Sequence, residues 1–184
     1  MLEIIVPATK VELFDEATET FINLDVKEQK LQLQHSLVSL QKWESKWHKA
    51  FLSKKDKTTE EIIDYVKCMT LTQNVHPDVY MCLTQENFAA VQKYIEDPMT
   101  ATYFSEDRTG KANNEVVTAE LIYYWMIALN IPPEYRKWHL NSLLALIQVC
   151  NRKNQPPKKM SRGDIMRRNA SLNAARRKQL NTRG

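Results

Sequence analysis

The chain has 184 residues, of which 43% are hydrophobic and 26% are charged, and its formal net charge is +4. This composition excludes a chain that is disordered throughout, because it supplies enough apolar surface to form a core. Only three glycines are present, which disfavours a many-stranded sandwich and glycine-rich phosphate-binding loops. We therefore expect a mostly helical protein of the α+β class with a helical core.

Charge is distributed unevenly along the chain. Residues 152–184 contain eleven Lys or Arg and one Asp, a formal charge of +10, which leaves −6 for residues 1–151 out of the total of +4. We predict an acidic, mostly helical globular domain at 1–151 and a basic arm at 152–184. Consecutive prolines predict an extended linker over 151–159 at the start of this arm. A basic segment on an acidic body is typical of an interaction arm, although charge alone does not name the partner.

The first 35 residues contain short β-like runs. These are Leu2–Val6, Thr20–Leu24 and Lys30–His35, and in the last two apolar and polar residues alternate as in half-buried strands. They predict a small N-terminal sheet of two or three strands within 1–35. The run at 2–6 is too short and too acidic for the core of a signal peptide, so secretion is not indicated.

From residue 37 onward the apolar period becomes that of helices. A first helix is predicted from Leu37 to near Lys54, because its apolar residues recur at three- and four-residue intervals. These residues are Leu37, Leu40, Trp43, Trp47 and Phe51. Thr58 and Glu61 match a capping box, which predicts a second helix over 59–71.

Three more long helices are predicted between residues 84 and 151. Thr84 is a cap for a helix that Pro98 ends, and residues 99–116 then predict a loop with at most one edge strand. Two strongly apolar helices are predicted at 118–130 and 133–151. Their apolar character predicts that they are buried and form the centre of the core, and the run within the first of them is too short to span a bilayer.

The last predicted helix lies in the basic arm. Ser161 and Asp164 resemble a helix cap, and a helix over 162–180 follows from them. Ile165 and Leu172 are expected on one side of this helix, with the basic side chains mostly elsewhere.

Neither catalysis nor a metal centre is indicated by the sequence. The three cysteines are odd in number and widely spaced, which predicts reduced, buried thiols in an intracellular protein. The chain lacks the CxxC, HxxxH and glycine-rich nucleotide motifs. His48, His76 and His139 are interpreted as structural or exposed. We predict a protein that is not an enzyme and that has no cofactor and no metal.

Two sets of side chains are candidate partner-binding residues, one basic and one aromatic. They are Arg162, Arg167, Arg168, Arg176, Arg177, Lys178, Trp43 and Trp47. Helically spaced tryptophans are more often core than contact residues, so both interpretations of the tryptophan pair stay open. The basic arm has three interpretations: a solvated terminus, a nucleic-acid contact, or a segment that becomes ordered on a protein partner. Counterion release favours nucleic acid, but no aromatic residue follows Trp138 to stack on bases, so we favour the protein partner.

Six stretches spread over nearly the whole chain resemble a family of tailed-phage proteins from the tail-morphogenesis region. They are Leu37–Trp47, Tyr65–Thr70, Pro98–Ala101, Leu121–Met126, Trp138–Asn141 and Lys158–Ser161. The family is similar to the tail assembly chaperones. None of these stretches is a catalytic or ligand motif, so the resemblance indicates a lineage and carries no mechanism.

The resemblance implies a specific role and specific partners. Tail assembly chaperones bind the long tape-measure protein in the host cytoplasm and hold it soluble until tail-tube subunits polymerise around it. Because such chaperones are often made in a short and a longer form, residues 152–184 are expected to contact the tape-measure protein or the tail tube protein. A homo-oligomer fits this role, and no membrane association is expected. The alternative is a minor tail or connector protein that stays in the virion and grips a neighbouring subunit or DNA with its arm.

Overall fold

The computed structural model describes residues 1–15, 19–103, 116–154 and 161–182. In these ranges the chain is mostly helical with a small β region at the N-terminus, which confirms the predicted mostly helical, α+β fold class. Two compact units are present, Met1–Asn151 and Arg152–Gly184.

The β region is built from four short strands. They are β1 (Leu2–Val6), β2 (Thr9–Asp15), β3 (Thr20–Val26) and β4 (Gln29–Leu33). β1 pairs with β4 and β2 with β3, both antiparallel, so each sheet has two strands. Val6 lies opposite Gln29 and Thr9 lies opposite Val26, and the two ladders therefore share one register. The strands form one long hairpin that is interrupted next to Pro7, which has no N–H to donate. β2 was not predicted from the sequence.

Seven α-helices and one 3₁₀ turn are present in the described ranges. They are α1 (Leu37–Trp47), α2 (Thr59–Met69), α3 (Asp78–Met81), α4 (Gln85–Glu96), α5 (Ala119–Ala128), the 3₁₀ turn Pro133–Lys137, α6 (Leu140–Asn154) and α7 (Arg162–Leu180). The predicted caps are confirmed. The side chains of Thr58, Thr84 and Ser161 each accept a hydrogen bond from the backbone N–H three residues ahead, which satisfies a donor that the first helical turn leaves open.

The first helix is shorter than predicted. It ends at Trp47 and not near Lys54, because His48 adopts the left-handed conformation with φ of 52°. The Glu44 carboxylate then accepts the Phe51 N–H at 2.9 Å. The chain turns back here, so that the Phe51 ring stacks on Tyr65 with their centroids 3.7 Å apart.

The helix predicted over 133–151 is two separate elements. A 3₁₀ turn ends at Lys137, Trp138 is extended, and α6 begins only at Leu140. The break arises because the Leu140 N–H donates to the His35 carbonyl at 2.9 Å. α6 then continues to Asn154, into the predicted linker. The rest of that linker lies outside the described residues, as do residues 104–115 of the predicted loop.

Two apolar clusters form the core of the first unit. One gathers the inward faces of β1 and β4 with α2, α3 and α4, and the other gathers α5 and α6. α1 contributes to both, with Trp43 in the first and Leu40 in the second. The prediction that the two apolar helices of the second half form the centre of the core is therefore wrong, since they form only one of two clusters. The largest buried rings, Trp43 and Tyr65, belong to the other cluster.

The predicted burial of α5 holds for one face of the helix only. Ile122 and Met126 are buried, but Tyr124 is 64% exposed and Ile127 is 76% exposed, because only one face of the helix contacts α1 and α6. A helix with both the length and the apolar character needed to cross a bilayer does not occur in the described ranges.

Candidate partner-binding surfaces

The two tryptophans proposed as partner contacts face α2. Trp43 is 1% exposed, and its indole N–H donates to the Glu61 carbonyl at 2.8 Å. Trp47 is half-buried, and its indole N–H donates to Asp64 Oδ2 at 2.9 Å. The aromatic series is therefore not an exposed stripe, and Trp43 is corrected from a candidate contact to a core residue. Each indole contacts α2 with its polar edge because a buried N–H needs an acceptor.

Two ion pairs accompany these contacts, one from α1 and one from the turn that follows it. Lys46 pairs with Asp64, and Lys49 pairs with Glu61. Burial tends to raise the pKa of Asp64, but the hydrogen bonds from Lys46 and Trp47 outweigh it and hold that pKa below its ordinary value. The Lys49 ammonium and the Thr58 N–H lower the pKa of Glu61 in the same way. Both carboxylates therefore stay charged and act as fixed acceptors.

Glu44 is a buried carboxylate that was not among the residues predicted from the sequence. It is 7% exposed, and its second oxygen accepts the Ala119 N–H at 2.7 Å, in the first turn of α5. Burial raises the pKa of Glu44, although the hydrogen bonds from Ala119 and Phe51 oppose this. Its position four residues after Leu40, on the apolar face of the helix, was the available signal.

The histidines form a buried pair that sequence spacing did not reveal. His35 and His139 contact edge to face with their ring centroids 5.1 Å apart. His35 Nδ1 is 2.6 Å from the Tyr65 hydroxyl, and His139 Nε2 is 3.0 Å from the Tyr94 carbonyl. Burial, and next the neighbouring His139, lower the pKa of His35 to about 3, so the pair is neutral at pH 7. His48 and His76 are exposed.

Little of these side chains is open to solvent. His35, Ser39 and Tyr65 are each 2% exposed or less. Burial raises the pKa of the Cys68 thiol to about 11, which disfavours the reactive thiolate. Within the part of the chain that the structure describes, no group of three or more His, Cys, Asp or Glu side chains is placed to hold a metal ion.

The basic candidates all lie on α7. This helix has 19 residues and none of them is buried. Its apolar side chains are exposed as well, including Met166 at 65% and Leu180 at 71%. Asp164 in the first turn is its only acidic residue, so that with six Arg or Lys its formal charge is +5.

Segregation of basic and apolar side chains on α7 is incomplete. Arg168 follows Ile165 by three residues and Arg176 follows Leu172 by four, and residues at these spacings share a side of a helix. α7 therefore presents a mixed surface on which cationic and apolar groups alternate around the helix. Such a surface offers ionic and apolar contacts together, whichever side a partner approaches.

Comparison of the chain with protein-family models, with curated protein sequences and with solved structures gives no significant match.

Proposed function

We propose that this protein is a non-enzymatic tail assembly chaperone of a tailed phage, which binds the tape-measure protein in the host cytoplasm. The observation that carries the proposal is α7, a 19-residue helix with a charge of +5 and no buried residue. The resemblance of the sequence stretches to tail-morphogenesis proteins supplies the identity of the partner. Residues 152–184 are the proposed contact segment.

The exposure of α7 has a thermodynamic consequence. An isolated helix of this length is only marginally stable in water, since most helices in proteins gain their stability from tertiary packing. A partner that buries Ile165, Leu172 and their neighbours would supply the missing packing, and the arginines would pair with its acidic residues. Individually weak contacts of this kind suit a chaperone that coats a long helical chain in many copies and is later displaced.

Removal of the arm tests the proposal. A chain that stops at Asn154, the last residue of α6, should retain the thermal unfolding midpoint of the body but lose capture of the co-expressed tape-measure protein. A matched full-length variant changes the six basic residues of α7 to Gln, which is also a good helix former. It should weaken capture by about tenfold or more if ionic contacts contribute at least ~1.4 kcal/mol. Undiminished capture by the truncated chain would refute the assignment of the arm.

The alternative is a structural protein that stays in the virion, and α7 supports it too. The cations of α7 lie all around the helix axis and would suit DNA phosphates. Quantitative mass spectrometry of finished particles separates the two functions. A stoichiometric copy number would favour the structural protein, and absence from particles would favour the chaperone. A DNA contact would also weaken steeply as salt rises, in proportion to the phosphates that are neutralised.

A further inference from the structure

An apolar groove lies between α2 and α4, on the first unit. Its volume is about 460 Å³. Tyr65, Val66 and Val91 form its floor and are 2%, 1% and 4% exposed. Phe88 and Ile95 are half-buried and line it from α4. The groove is thus continuous with the core below it and open to solvent above it.

The lining residues of each wall recur with the helical period, which defines the length of the groove. On α2 the groove is lined at Thr59, Ile62 and Val66, which are related as i, i+3 and i+7, and α4 repeats this spacing from Phe88 to Ile95. Seven residues of helix span about 10 Å, so the groove is about two helical turns long. A partner helix with apolar residues at i, i+3 and i+7 presents anchors over the same length, as in helix-in-groove recognition.

The charges that line the groove are of opposite sign. Lys57 lies with its ammonium 4.8 Å from the centroid of the Phe51 ring, and Glu96 accepts a hydrogen bond from the Gln92 amide at 3.0 Å. Phosphates of a nucleic acid would be repelled by Glu96, and a fatty acid carries no cation for it. An amphipathic helix complements the apolar lining with its apolar face, Lys57 with an acidic residue and Glu96 with a basic residue.

We infer that the groove between α2 and α4 is a second binding site, which takes an amphipathic helix with an acidic and a basic residue flanking its apolar anchors. The inference rests on the proposed function only in naming the tape-measure protein as the source of that helix. The groove holds the anchors of the helix, while α7 contacts the same protein elsewhere. Two sites per copy would raise the apparent affinity beyond that of either one.

A synthetic peptide tests the groove with the full chain. The probe is a fluorescein-labelled amphipathic peptide of about four helical turns, with Leu at i, i+3, i+4 and i+7, Glu in its first turn and Lys in its last turn. A second peptide of the same composition has its Leu residues scrambled around the helix. Fluorescence anisotropy should detect saturable binding of the first peptide at least about tenfold tighter than of the second.

Ile62 is the residue to change, because it is 40% exposed at the rim and its replacement leaves the buried floor intact. Ile62→Glu should weaken peptide binding by about tenfold or more, since a carboxylate then meets the leucines. Ile5→Glu is the matched control: Ile5 is 55% exposed on β1, outside the groove, and its variant should bind as the wild type does. Equal binding to both variants overturns the proposal.

Reversing the charge of Lys57, and then that of the peptide, tests whether the two groups pair. Lys57→Glu should weaken binding of the peptide about threefold, and a peptide whose Glu is replaced by Lys should restore it on this variant alone. Loss without rescue would overturn the charge complementarity on which the choice of occupant depends. Sedimentation of the wild type supplies a further outcome. Self-association that Ile62→Glu abolishes would show that the occupant is a second copy of the chain, which also overturns the proposal.

Capture of the co-expressed tape-measure protein separates the two proposals. If the truncated chain loses capture but Ile62→Glu retains it in full, the proposed function stands and the groove is not a site for this client. If wild-type protein does not capture the tape-measure protein but the peptide binds and Ile62→Glu abolishes binding, the groove stands and the proposed function falls. Reduced capture by Ile62→Glu and not by Ile5→Glu supports both.

Discussion

At the scale of single residues, Glu44 connects three parts of the chain. Its two carboxylate oxygens accept the N–H groups of Phe51 and Ala119, which lie 7 and 75 positions further along the sequence. The Ala119 N–H belongs to the first turn of α5, where a helix leaves donors unsatisfied and favours a negative charge. One buried carboxylate thus stabilises both the chain turn after α1 and the start of α5.

Glu44→Ala should lower the free energy of unfolding by about 2 to 4 kcal/mol, because two N–H groups in a mostly buried place lose their acceptor. Glu44→Gln keeps one acceptor oxygen, so its free energy of unfolding should lie between those of Glu44→Ala and the wild type. Urea denaturation followed by tryptophan fluorescence measures these values. Ser45→Ala changes the next, exposed residue of α1 and is expected to have little effect. A Glu44→Ala protein as stable as this control would show that the two hydrogen bonds contribute nothing.

The buried histidines make stability depend on pH. His35 has a pKa of about 3 in the folded chain against 6.5 for an ordinary histidine. Between these values the unfolded chain binds more protons than the folded chain, so the free energy of unfolding rises with pH. The stabilisation is complete above pH 6.5 and is lost as the pH falls toward 3. Glu44 acts in the opposite direction, since its raised pKa favours the folded state as the carboxyl is protonated.

His35→Gln isolates the contribution of one ring, because the amide still offers a partner to the Tyr65 hydroxyl. Between pH 7 and pH 5 the wild type should lose about 2 kcal/mol more stability than the variant, at 1.4 kcal/mol per pKa unit. Denaturation curves at a series of pH values give this difference. His48→Gln removes an exposed histidine and should follow the wild-type curve. Parallel curves for the wild type and His35→Gln would contradict a neutral His35 in the core.

At the scale of elements, the helices differ in what stabilises them. α2 has a capping box, ion pairs to Lys46 of α1 and to Lys49 just after it, and a buried face that includes Tyr65 and Val66. α7 has the cap at Ser161 but no buried residue. Local signals predicted both helices equally well from the sequence, because caps and helix propensities act within a few residues. Their stabilities are expected to differ, since only α2 gains the free energy of burial.

Amide hydrogen exchange should show this difference. The backbone amides of α7 are expected to be protected by less than about 1 kcal/mol, and those of Tyr65 and Val66 by an amount near the global free energy of unfolding. Ser161→Ala removes the cap and should lower the helix content of α7 further, at a cost of about 1 kcal/mol. Ser171→Ala is the matched control within the same helix and should not lower it. Exchange in α7 as slow as in α2 would mean that α7 is stabilised by contacts other than those described.

At the scale of the whole molecule, the body has two apolar clusters that share α1, and the basic residues are concentrated in the second unit. The His35 and His139 rings meet where β4 leads into α1 and where α6 begins, so a polar contact joins segments that a sequence pattern treats as unrelated. That residues 152–184 act as a separate arm remains a prediction. A chain truncated at Asn154 can test it, because the truncation removes α7 without interrupting any element of the body.

Residue types and local patterns predicted the fold class, the capped starts of α2, α4 and α7, and the concentration of basic residues after residue 151. Each of these depends on residue type and on neighbours within about four positions, where periodicity, capping and local charge operate. The folded chain shows four features that local patterns did not predict: α1 ends at Trp47, α6 begins at Leu140, Glu44 and His35 are buried, and α2 and α4 leave a groove between them. These features arise from contacts between residues far apart in the chain, such as Glu44 with Ala119, where burial and hydrogen bonding outweigh local preference.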